Sequence, residues 1–195
     1  MSTRGCVGFL IDGEEKVTYN HSDSYPSGLG VDVFQFVRDF STDKLKEIAR
    51  SIELVDRNSN LTQKQIGHCF SYEIVDLGGG NQFVEDWYWL LHNAQRNLNL
   101  YADGLKYMID SRNFLYDSVF CEYAYIINLD TELLEVYKGF NKDKNAKGRY
   151  VEVTDKMRKE SGLNKDYYGT KLIATFSLDQ IHDQMDEKEF IEAII

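Results

Sequence analysis

Gly5-Cys-Val-Gly-Phe-Leu-Ile-Asp-Gly-Glu-Glu-Lys-Val-Thr-Tyr-Asn-His-Ser-Asp-Ser-Tyr-Pro-Ser-Gly-Leu-Gly30 is the stretch that decides the fold. Val7, Phe9 and Ile11 alternate as in a strand, and Asp12-Gly13 is a strong hairpin signal. Lys16 to Tyr19 then supplies a returning strand. After the polar turn Asn20 to Gly30 the period changes. Val33, Phe34, Phe36, Val37 and Phe40 recur at helical spacing and predict one apolar helix face.

Working outward, Ser41-Thr42-Asp43 predicts the cap of a second helix, with Leu45, Ile48, Ile52 and Leu54 inside it. Residues Asp56 to Gln65 read as a polar loop, and Phe70 to Leu77 as a strand closed by a turn at Gly78-Gly79-Gly80-Asn81. That triplet lacks the following Lys-Ser/Thr of a P-loop. Glu85 to Asn97 is expected to be helical, with Trp87, Leu90, Leu91 and Ala94 on one face, and Leu105 to Ile109 to start a short helix. Val119 to Asn128 is β-rich, turns at Leu129 to Glu132 and pairs with Leu134 to Tyr137. Lys171 to Phe176 is a further strand, and Ser177-Leu-Asp-Gln180 fits a capping box opening a helix to Ile195. Together these predict one α+β domain over residues 1–195, with helices covering an antiparallel sheet of about five strands in two hairpins.

Composition narrows the class. With 43% hydrophobic and 13% aromatic residues the chain suits a packed domain rather than a disordered one. No apolar run approaches the roughly 20 residues of a membrane span, and the N-terminus lacks a signal-peptide pattern, so a cytoplasmic location in the host cell and no membrane partner are expected. Cys6, Cys69 and Cys121 have no metal-ribbon or disulfide spacing and read as reduced, buried thiols. Neither a metal nor a cofactor is expected.

The net charge of −10 argues against a general nucleic-acid coat. The charge is uneven, however. Nine basic residues against four acids between Lys138 and Lys165 give a local +5, leaving −15 on the rest. Lys142, Lys144, Lys147 and Arg149 read either as a solvated excursion or as an RNA contact.

Chemistry concentrates at Tyr19 to Tyr25. A strand that hands over to a helix through Gly28 and Gly30 can turn backbone N–H groups outward to an anion. If the strand persists, alternation puts Tyr19, His21 and Asp23 on one side. The Asp12-Gly13 hairpin brings Arg4 close to them. Such a set binds phosphate and moves a proton: His21, Asp23 and Tyr19 as catalytic candidates, Arg4, Asn20, Tyr25, Gly28 and Gly30 as substrate-binding ones. The same residue types also build a plain turn. His68, His92 and His182 lack metal spacing and read as structural or exposed, and Trp87 and Trp89 as helix-face residues.

Thr3-Arg4-Gly5 and the Tyr19–Gly30 turn resemble the opening of an uncharacterised family of phage, mobile-element and fungal proteins. The resemblance extends to Glu122-Tyr-Ala-Tyr-Ile-Ile-Asn-Leu-Asp130 and Leu134-Glu-Val-Tyr137. It marks Arg4, Tyr19, His21, Asp23 and Tyr25 as the positions to test. Together with their chemistry and the basic excursion it suggests an accessory protein that counters host defence, of anti-CRISPR type, acting on RNA or on a host CRISPR ribonucleoprotein by metal-independent cleavage or trimming of guide RNA. Two alternatives stay open. One is an acidic inhibitor that binds a host nuclease. The other is a small hydrolase or nucleotide-binding module, since the hairpin and turn also resemble N-terminal-nucleophile hydrolases, in which Cys6 would have to become the first residue.

Overall fold

The structure, a computed structural model, describes residues 3–72 and 86–195. In chain order the strands are β1 (Gly5–Ile11), β2 (Glu14–Asn20), β3 (Glu53–Val55), β4 (Tyr107–Ile109), β5 (Tyr123–Asn128), β6 (Leu133–Lys138) and β7 (Lys171–Ser177). The helices are α1 (Val31–Asp39), α2 (Thr42–Ser51), α3 (Gln63–Phe70), α4 (Trp87–Leu90), α5 (Asn99–Ala102), α6 (Asp155–Ser161), α7 (Leu178–Asp183) and α8 (Glu187–Ile194).

The α+β reading holds and both hairpins form, but the main sheet is mixed. Its order is β2-β1-β5-β6-β7, and β1 runs parallel to β5 while the other neighbours are antiparallel. The expectation of an antiparallel sheet is corrected by that one join. β1 and β5 are buried on both faces, which suits the central, parallel position.

Each face of the sheet has its own core. Val7, Phe9 and Ile11 pack with Tyr125, Ile127 and Val136 against α1, α2, α7 and α8. On the opposite face Cys6, Val17, Ala124, Ile126 and Tyr137 lie under Leu115, Cys121 and Tyr150. That second cover consists of loops and a 3-10 segment at Arg112–Tyr116.

Several local expectations are corrected. The helix α2 stops at Ser51, Ile52 is extended, and Leu54 lies in β3. Leu105 to Ile109 is no helix: β4 pairs in parallel with β3 from Glu53↔Tyr107 to Val55↔Ile109. In three-residue strands with large apolar side chains, helical and extended periods look alike. Phe70 ends α3 inside the expected strand, and the rest of that strand from residue 73, with the glycine triplet, lies outside the described residues. The helix expected over 85–97 is broken into α4 and a turn at His92–Ala94. At the C-terminus Ser177 makes no side-chain cap. The reciprocal capping box is Asp186 with Glu189, and it restarts the chain as α8 so that Phe190 stacks on Phe34 and Phe176.

Candidate functional site

The edge strand β2 ends at Asn20, where a cavity of about 470 Å³ opens. Arg4, Tyr19 and His21 from the hairpin form one wall. The register explains their meeting. Gly5 pairs with Asn20 and Cys6 with Tyr19, so the residue before β1 and the residue after β2 are neighbours. Arg57 and Tyr88 form a second wall, and Tyr101, Ser111 and Phe114 help to close the third. The last segment is tied to the strand edge, because the Ser111 amide donates to the Val17 carbonyl at 2.8 Å. A volume of this size is in the range of small-ligand pockets.

Tyr19 and His21 are coupled, with the phenol oxygen 2.9 Å from Nδ1. The Tyr19 ring stands edge-on to Phe114, centroids 5.1 Å apart. Burial pushes the Tyr19 phenol above its usual range, while the nearby Arg4 guanidinium pulls it down. The phenol therefore stays protonated near neutrality. Arg57 lies over the Tyr88 ring at 4.5 Å from its centroid. Among the described residues, the lining contains two arginines and no Asp or Glu. The site is thus cationic within an acidic chain.

The other expected residues go elsewhere. Asn20 is buried, and its side-chain amide donates to the Ser22 carbonyl and to the Ser24 hydroxyl at 2.7 Å, holding the turn. Asp23 adopts a positive φ of 56°, so strand alternation ends before it. Its carboxylate takes the Tyr25 hydroxyl at 3.2 Å and lies 3.7 Å from Arg96. Neither Asp23 nor Tyr25 lines the cavity, so of the three residues expected on one side only Tyr19 and His21 meet.

The amides of Gly28 and Gly30 both donate to the Tyr25 carbonyl, at 3.0 and 3.4 Å. They close the turn on itself, which corrects the expectation of outward anion donors. A side chain at Gly28 would strike the Asp23 carbonyl at 2.2 Å, so the glycine serves this close approach.

Of the basic excursion, Lys142, Lys144 and Lys147 are exposed. Arg149 is bound to Glu135 and approaches Glu15, so it fastens the excursion to the sheet. The remaining histidines bond backbone or pack on rings. His68 accepts the Lys106 amide, His182 sits 2.9 Å from the Val37 carbonyl, and His92 packs on Tyr88. Trp87 is buried and Trp89 exposed. Burial pushes the Cys6 thiol up, and it sits within β1, deep in the second core. Among the described residues, no group of three or more His, Cys, Asp or Glu converges to hold a metal ion.

Arg57, Tyr88, Tyr101 and Ser111 were not anticipated. They come from segments far apart in sequence, and only the hairpin half of the site carries a local signal. The chain matches no protein-family model, no curated protein and no solved structure. No helix among the described residues is long and apolar enough to cross a membrane.

Proposed function

We propose that the cavity holds a phosphate ester of RNA and that the protein cleaves the strand there without a metal. The carrying observation is the pair of arginines in a lining whose described residues include no carboxylate, in a chain of net charge −10. Guanidinium groups match phosphate oxygens bidentately, and in a half-closed cavity their charge is only partly screened.

The chemistry follows from the Tyr19–His21 pair. When Nδ1–H donates to the Tyr19 oxygen, Nε2 is the basic nitrogen of the ring and is assigned the proton of a ribose 2′-hydroxyl. The 2′-oxygen attacks phosphorus and the bond to the 5′-oxygen breaks. The products are a 2′,3′-cyclic phosphate and a 5′-hydroxyl, the latter protonated by imidazolium or water. Arg4 and Arg57 stabilise the charge that builds on the non-bridging oxygens. The mobile-element resemblance supports the guide RNA of a host defence complex as the strand met in the cell.

The test is a cleavage assay on labelled structured RNA, free and bound to a CRISPR effector, with and without EDTA. Cleavage is expected to survive EDTA and to fall by about 10²–10⁴-fold in His21→Ala. Undiminished cleavage in that variant would sink the assignment. No cleavage with the effector still inhibited would favour an acidic inhibitor, a reading supported by the −15 outside the basic stretch.

A further inference from the structure

Arg4 belongs to two features at once. It lines the cavity, and its guanidinium lies over the ring of Phe120, 4.6 Å from the centroid. The residue that closes the cavity therefore also faces the end of the sheet. The order β2-β1-β5-β6-β7 brings together there the last residue of β2, the first of β1 and β5, the last of β6 and the first of β7.

Cations sit over aromatic rings along this end. Lys138 lies over Tyr123 at 5.5 Å, and Lys142 over Tyr167 at 5.1 Å. Two phenylalanines at this end are exposed, Phe120 at 46% and Phe140 at 55%. Their loops adjoin: the Gly139 amide donates to the Glu122 carbonyl at 2.9 Å and the Phe140 amide to that of Ser118 at 2.6 Å. Gly139 permits this approach, because a side chain there would lie 2.1 Å from the Cys121 carbonyl. The neighbouring Asp117 carboxyl accepts from the Val119 and Phe120 amides and is also drawn towards Arg4.

Exposed rings interleaved with cations are what an unpaired nucleic-acid strand requires. Bases stack on the rings and phosphates meet the ammonium and guanidinium groups. A duplex hides its base faces and cannot use the rings in this way. At about 4.8 Å per strand, the line from β1, which Arg4 precedes, to β6, which Phe140 follows, spans roughly 10 Å.

We propose that this end of the sheet, from Lys142 and Phe140 to Arg4, is a binding track for single-stranded RNA that delivers one nucleotide to the cavity. The delivery step rests on the cavity reading, whereas binding along the track does not.

Fluorescence anisotropy tests it with a 2′-O-methyl oligonucleotide of about ten nucleotides, which cannot cleave itself and is within the usual site sizes. Phe140→Ala and Lys142→Ala are each expected to weaken its binding about 10-fold without changing the affinity for a nucleoside monophosphate. The lysine variant should also lower the salt slope by about one. The matching duplex should bind at least about 10-fold more weakly than the single strand. Oligonucleotide affinity unchanged in both variants, or duplex binding equal to single-strand binding, overturns the track even if monophosphate still binds. Loss of oligonucleotide affinity in the variants, with no monophosphate binding to any form, supports the track and sinks the cavity reading instead.

Discussion

Arg149 and the pair Arg4 and Arg57 carry the same charge in different company. Arg149 is bound to Glu135, lies 3.7 Å from Glu15 and donates to the Tyr137 hydroxyl at 3.2 Å. Glu135 is buried and also accepts from Asn128 at 2.7 Å and Tyr137 at 2.8 Å, while Tyr150 donates to Glu15 at 2.6 Å. Every strong group in that network answers another group of the protein. Arg4 and Arg57 instead stack on rings and line an open cavity whose described residues include no carboxylate. A satisfied arginine holds the fold, and one that lines a cavity whose described residues include no carboxylate can meet an anion from outside, although Asp117 draws on Arg4 from beyond the lining.

The comparison is broken most forcefully at Arg149. Arg149→Met leaves Glu135 buried without its counter-ion and should cost about 3 kcal/mol, read from the urea midpoint. The matching change in the cavity should do the reverse. Arg57→Ala loses one contact to Tyr88 and is expected to cost no more than about 1 kcal/mol. It should nevertheless weaken nucleoside monophosphate binding at least about 10-fold, measured by calorimetry. Equal destabilisation by the two variants would erase the distinction.

Tyr19→Phe sharpens it further. The ring still packs on Phe114, so stability should stay near wild type, while the hydroxyl beside His21 is lost. RNA cleavage should fall about 10-fold in kcat with little change in KM.

The smallest effect at neutral pH, and a growing one above it, comes from the tyrosines. Burial pushes the phenols of Tyr101, Tyr125, Tyr137 and Tyr150 well above their ordinary value of about 10. The folded state keeps these protons and the unfolded state releases them, so stability is complete below about pH 10 and declines as pH rises beyond it. The tyrosinate signal of these four residues should therefore appear together with unfolding rather than before it. Early, gradual ionisation of these tyrosines in the folded protein would contradict the assignment.

What the sequence revealed follows the range of each signal. The Asp12-Gly13 turn sets a hairpin register, and that register alone brings Arg4 to Tyr19 and His21. Alternation failed at Asp23 because the backbone there turns left-handed and the strand is already over. Arg57 and Tyr88 reach the cavity through long-range folding, and nothing in their own neighbourhoods marks them. Arg149 looked like its basic neighbours, since its acidic partners Glu15 and Glu135 lie far away in sequence on β2 and β6. The parallel join of β1 and β5 was hidden for the same reason: each strand reads as half of its own hairpin.

The account stands most directly on calorimetric titration of a nucleoside 3′-monophosphate into the wild-type protein and into an Arg4→Ala/Arg57→Ala double variant. One-to-one binding by the wild type, weakened about 100-fold in a double variant that still unfolds cooperatively, is the predicted result. Absence of binding by the wild type, or equal affinity in the two proteins, would contradict it.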